Sequence, residues 1–300
     1  MTLPPIAVSA PVGPSTSSGT GSGAAAGTGS GAGTGAGVRH DADTGISAGA
    51  GTGAAADAPT LVLGPSLGTS TMLWERVIPT LAEHYRVVAW NLPGHGTAPA
   101  ATEPFTMADL AEAVAAAIDG PFLYAGVSLG GCVGLELLLR HGDRIGAAAI
   151  LCSGAAIGAP QGWHDRAAQV RAQSTSSLVV GSAQRWFAPD TIARDPDLTG
   201  RMLHVLQNTD DESYALCCEA LAAFDVRDRL GEIATPVLAV WGDHDGVTPE
   251  ASAREIADGV QRGEAIGIPD AAHLPPADDP AATAAALRAF FDAVARERAA

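Results

Sequence analysis

The chain has 300 residues, 36 of them glycine, and a formal net charge of −16 with its basic residues scattered, so a polyanionic partner such as nucleic acid would be repelled. All 17 basic residues are arginine. That excludes Schiff-base enzymes, a pyridoxal-phosphate lysine and a P-loop lysine, because arginine stays protonated and cannot serve as a nucleophilic amine.

Residues 1–57 are dominated by a Gly/Ala/Ser/Thr tract, "GPSTSSGTGSGAAAGTGSGAGTGAG", with too few large apolar side chains to offset its ordering entropy. A disordered tail is expected there. No basic residue precedes Arg39 and no sustained apolar stretch occurs, so neither a signal peptide nor a membrane anchor is expected. The four cysteines lack a metal-ligand spacing and read as free thiols of a cytoplasmic protein. Residues 58–300 are enough for one domain.

From Pro59 the pattern alternates. "TLVL" (60–63) is strand-like, "MLWERVIPTLAEHY" (72–85) helix-like, "RVVAWN" (86–91) a strand and "MADLAEAVAAAIDG" (107–120) a helix. "FLYAGV" (122–127), "SLGGCVGLELLLRHG" (128–142) and "IGAAAILCS" (145–153) read as strand, helix and strand. Over about 155–230 the strands stop and four stretches carry helical periodicity, as expected of a helical lid insertion. "PVLAVWG" (236–242), a helix at 249–261, a strand near 264–269 and a last helix from about Pro280 complete the chain. Short two-sided apolar strands separated by helices predict an α/β fold, a mostly parallel central sheet covered by helices on both faces.

Three pentapeptides have the form G-x-S-x-G: "GISAG" (45–49), "GPSLG" (64–68) and "GVSLG" (126–130). In a glycine-rich chain the pattern means little without its setting. A nucleophile elbow needs a strand that feeds straight into a helix through a strained turn, with small residues that let strand and helix approach. Ser128 meets that description; Ser47 lies in the tail, and Ser66 is followed by a loop. In the α/β-hydrolase architecture the loop after the first central strand supplies one oxyanion-hole amide and the residue after the nucleophile the other, which points to Leu67 and Leu129. The alternative for 64–70 is an ordinary turn.

The chain order of that architecture is Ser, then Asp or Glu, then His. "VLAVWGDHDGVTP" offers Asp243 and Asp245, of which Asp245 is preferred because Asp243 sits nearer the strand end and can serve the turn. "IPDAAHLPP" places His273 beyond the final strand. His95, in "NLPGHG", is the rival base, although His-Gly there can simply shape a loop.

"LVLGPSLGTSTMLW", "GVSLGG", "RWFAP", "ALAAFDVRDRL", "TPVLAVWGDHDGVTP" and "DAAHL" together resemble the 3-oxoadipate enol-lactonases of the α/β-hydrolase superfamily. The likeness runs from about Ala58 to the last helix. It implies a Ser128–Asp245–His273 triad, no cofactor or metal, and a small anionic lactone as substrate, opened to 3-oxoadipate in aromatic-compound catabolism. The substrate carboxylate would need a cation: Arg166, Arg185 and Arg171 are candidates, with Trp163 and Trp186 as pocket walls. The family begins with a strand pair ahead of "LVL", which only "VRHDADTG" (38–45) resembles here, and after "DAAHL" this chain has "PPADDP" where relatives often carry a glutamate. The decarboxylase domain fused to some relatives is expected to be absent. The competing readings are a general carboxylesterase or carbon–carbon bond hydrolase on the same triad, and a non-catalytic binding protein.

Overall fold

The computed structural model describes residues 4–14 and 58–300. Seven strands form one sheet: β1 Ala7–Val8, β2 Thr60–Gly64, β3 Arg86–Asn91, β4 Phe122–Val127, β5 Ile145–Leu151, β6 Val237–Gly242 and β7 Gly263–Ile268. Their spatial order is β1-β3-β2-β4-β5-β6-β7, parallel throughout except for antiparallel β1. The central strands are buried on both faces and therefore apolar at every position.

Among the described residues, eleven α-helices accompany the sheet. α1 (Ile78–Leu81), α2 (Met107–Ala117) and α3 (Leu129–His141) connect the first strands. α4 (Pro160–Gln173), α5 (Val179–Trp186), α6 (Thr191–Arg194), α7 (Pro196–Gln207) and α8 (Asp211–Ala222) are inserted between β5 and β6. α9 (Glu250–Gly259), α10 (Pro275–Asp278) and α11 (Pro280–Ala299) follow. α2 starts with a capping box in which the Thr106 hydroxyl accepts from the Asp109 amide and Asp109 accepts from the Thr106 amide. No helix among the described residues is long and apolar enough to cross a membrane.

Two expectations need correction. The continuous helix expected over 72–85 is a 3₁₀ turn, Thr71–Trp74, followed by the single turn of α1, because Pro79 lacks an amide hydrogen and opens a new helix instead of continuing one. Part of the expected tail is also ordered. Residues 4–14 contribute β1, whose Ala7 and Val8 pair with Asn91 and Trp90. Ser9 donates its amide to the Ala89 carbonyl at 2.7 Å, and the Val12 and Val87 amides and carbonyls bond reciprocally at 2.9 and 2.6 Å. This segment forms an edge of the sheet; 38–45, where the sequence suggested a leading strand pair, lies outside the described residues with the rest of 15–57.

Sheet order also locates the site. β2 has β3 on one side and β4 on the other, so the chain reverses its direction of travel across the sheet there, and a crevice opens at the carboxyl ends of the strands. The turns after β2, β4, β6 and β7 all emerge at that end.

Candidate active site

β4 delivers Ser128 directly into α3. Ser128 has φ +55° and ψ −115°, a strained conformation for a residue other than glycine, and it is 6% exposed. Its side chain makes no capping hydrogen bond to α3, so the hydroxyl is not consumed by the helix. Its carbonyl is held instead, accepting from the Gly131 amide at 2.8 Å and the Ser153 hydroxyl at 2.7 Å. Glycine makes the turn possible: a Cβ at Gly126 would lie 2.3 Å from the Gly130 carbonyl oxygen. Strand and helix could not meet at that distance with a side chain between them.

The turn after β2 runs beside this one. Gly64 is the registered partner of Gly126, and the Gly130 amide donates to the Pro65 carbonyl at 3.0 Å, which ties the two G-x-S-x-G turns together. Ser66 donates its amide to the Thr69 hydroxyl, which donates in turn to the Ser66 carbonyl. Among the described residues, the Leu67 and Leu129 amides make no hydrogen bond to protein. Leu129 is the first residue of α3, so its amide has no intrahelical acceptor.

Asp245 and His273 meet as the chain order anticipates. His273 Nδ1 lies 2.9 Å from Asp245 Oδ2, and both side chains are buried. The same carboxylate accepts from the Thr248 hydroxyl at 2.7 Å and from the Val247 amide at 2.7 Å. Burial acts to raise the Asp245 carboxyl, but the His273 hydrogen bond and charge, together with Thr248 and Val247, hold it below its ordinary value. Asp243 is exposed and accepts from the Trp241 indole at 3.0 Å, so it serves the turn. His95 does not reach this group. Its Nδ1 is 2.8 Å from the Pro93 carbonyl, its ring stacks on Tyr214, and burial pulls it down to about 4.

Ser128, His273 and Leu67 line one cavity of about 130 Å³, which Trp163 and Arg166 of α4 and Arg185 and Trp186 of α5 also line. The Arg166 guanidinium stacks 5.0 Å over the Trp163 ring. Arg185 is lowered by partial burial and by the Arg166 charge beside it. Neither arginine has a carboxylate partner among the described residues. Arg171 does: it bonds Glu212 and Glu219 on α8 and does not line the cavity, which removes it from the candidates. Three roomier clefts, of about 560, 690 and 200 Å³, open elsewhere, and none of them brings a serine to a histidine.

Several contributors escaped the sequence reading. Tyr214 completes the cavity wall, but in "ESYALCCEALAAFD" it looks like any core-facing helical residue. Thr248 had a usable signal, since a hydroxyl three residues after an aspartate can return to its carboxylate.

A family model described as the alpha/beta hydrolase fold matches residues 59–280. The chain belongs to that family of hydrolases. The chain is 31% identical over 240 residues to 3-oxoadipate enol-lactonase 2 of Acinetobacter baylyi, covering 79% of this chain and 90% of the relative. Its structure resembles the enol-lactonase of Burkholderia xenovorans with a TM-score of 0.76 at 32% identity, over 79% of this chain and 92% of that one. Within the hydrolases it therefore groups with the 3-oxoadipate enol-lactonases. A pimeloyl-[acyl-carrier protein] methyl ester esterase of Neisseria meningitidis is 30% identical over 77% of this chain and 76% of its own length.

Proposed function

We propose that this hydrolase opens a small lactone bearing a carboxylate, with 3-oxoadipate enol-lactone as the substrate. The observation that carries this reading is the pair of arginines, Arg166 and Arg185, which line the same cavity of about 130 Å³ as Ser128 and have no carboxylate partner among the described residues. Two like charges left together without a counter-charge are costly, and an anionic substrate supplies the missing partner. The small volume suits one ring with a short acidic arm better than an ester on a long acyl chain.

In the proposed reaction Asp245 holds His273 with Nδ1 protonated, leaving Nε2 free to take the Ser128 proton. The serine oxygen attacks the lactone carbonyl. The Leu67 and Leu129 amides receive the developing oxyanion, a contribution of about 3–4 kcal/mol for each donor in measured cases. Collapse breaks the ring C–O bond, and the leaving enolate takes the histidine proton and ketonises. Water, deprotonated by His273, then attacks the acyl-serine and releases the dicarboxylate.

The test compares the anionic lactone with neutral p-nitrophenyl acetate. Arg166→Gln or Arg185→Gln is expected to lower kcat/KM for the lactone by about 30- to 150-fold, the equivalent of roughly 2–3 kcal/mol, with little change for the neutral ester. Equal losses on both substrates would assign the arginines to packing. No turnover of the lactone by the wild type, with good turnover of the ester, would favour the esterase reading.

A further inference from the structure

The "PPADDP" run that follows His273 contains Asp278, a carboxylate only 2% exposed and outside the proposed triad. It sits on α10 and forms no ion pair among the described residues. Its Oδ2 accepts from the Ala272 amide at 2.7 Å. Its Oδ1 accepts from the Ala188 amide at 3.0 Å and from the Thr191 hydroxyl at 2.6 Å. Arg194 donates to the Asp278 backbone carbonyl, which fixes α10 against the same segment.

These partners are informative because of where they lie. Ala272 immediately precedes His273, whereas Ala188 lies in the connection from α5 to α6 and Thr191 is the first residue of α6. On the other side of the histidine, the Leu274 amide donates to the Trp186 carbonyl at 3.1 Å. The residues on either side of His273 are thus both anchored to residues 186–191, Leu274 directly and Ala272 through Asp278. Trp186 is itself a wall of the cavity. Burial raises the Asp278 carboxyl above its ordinary value, against the pull of Thr191, Ala188 and Ala272. A carboxylate in so dry a position is a poor choice for filling space alone.

We propose that Asp278 is a positioning residue that locks the His273 loop to the 186–191 segment, so that the histidine and the substrate-facing wall keep one fixed relation. This rests on the reading of Ser128, Asp245 and His273 as the reacting group. The carboxylate has three donors on two oxygens and no hydrogen of its own. A carboxamide can satisfy one side only, because its NH₂ must then face the N–H or O–H donors of the other side.

The experiment measures p-nitrophenyl acetate hydrolysis and the rate of fluorophosphonate inactivation, both of which report on the serine and histidine without depending on the lactone. Asp278→Asn is expected to lower kcat by about 10- to 100-fold with KM within about twofold, and to slow inactivation in proportion. Asp278→Glu, which retains two acceptor oxygens, is expected to recover part of the rate. Thr191→Val removes a single donor and is expected to lower kcat about threefold. The proposal is overturned if Asp278→Asn melts at a lower temperature yet keeps kcat within about twofold of the wild type. If Asp278→Asn does not fold, Thr191→Val decides, and an unchanged kcat overturns the proposal. A His273→Ala enzyme that still inactivates at the wild-type rate would refute the reacting group itself, and this proposal with it.

Discussion

The turns after β2 and β4 spell G-x-S-L-G alike, lie side by side in register and line the same cavity, yet they are different devices. After β4 the positive φ falls on the serine, which the helix follows at once. After β2 it falls on Gly68, at +82°, where glycine adopts it without strain, and the Thr69 hydroxyl closes the turn around the Ser66 backbone. One turn projects a side chain and the other presents a backbone amide. The difference lies in which residue bears the unusual backbone conformation, and only the structure that follows the pentapeptide decides that.

Exchanging the two serines tests the comparison most severely. Ser128→Ala is expected to reduce kcat by about 10⁵- to 10⁶-fold, while Ser66→Ala stays within a few-fold. A fluorophosphonate, mapped by peptide mass, should mark Ser128 alone; a label on Ser66 would invert the assignment.

The acid comes next in size. Asp245→Asn is expected to cost about 10⁴ in kcat, and Asp243→Asn far less. A pH dependence accompanies it. Because the fold depresses the Asp245 carboxyl, its ionised form stabilises the protein above the unfolded value of about 4, and that stabilisation disappears as pH falls through the lower folded value. Acid titration followed by circular dichroism should show this loss in the wild type and a weaker one in Asp245→Asn.

Gly68→Ala probes the backbone turn. The new methyl would meet Leu206 Cδ1 at 2.8 Å and Trp186 at 3.1 Å with φ still at +82°. Displacement of the Leu67 amide is expected to lower kcat by about 10²-fold with Ser128 still labelled by the reagent. An unchanged kcat would show that Leu67 is not a donor.

The smallest effect is expected at the sheet edge. Deleting residues 1–14 removes β1 from β3, which pairs with the strand feeding the first turn. A fall of a few degrees in Tm with kcat preserved is expected by thermal scan and assay; a large fall in kcat would show that the edge supports the Leu67 turn.

Much of this was legible in the sequence, for reasons that particular residues make plain. "FLYAGV" is a strand without a polar position, and its bounds agree with β4 residue for residue. Ser128, Asp245 and His273 could be selected because each follows a strand and the chain order is constrained. β1 was hidden by its brevity: Ile6, Val8 and Val12 are few apolar residues beside a long Gly/Ala tract, and their pairing with β3 is non-local. The arginines divided for a similar reason. Nothing local separates Arg171 from Arg166, and only the fold brings Glu212 and Glu219 to the former and a cavity to the latter.

β7, the strand that leads to His273, is the outermost strand on its side of the sheet and half-exposed along most of its length. Sheets fray from their margins, and segments with exposed backbone hydrogen bonds open at a lower free energy than the centre. Ser128 is carried by β4, buried at the centre of the sheet, where opening is expected to cost the most. The two halves of the reacting pair therefore belong to regions of unequal persistence. As temperature or denaturant rises, turnover would vanish while the tryptophans packed around β2 and β3 still report a folded centre, which makes activity the earlier gauge of unfolding in this molecule.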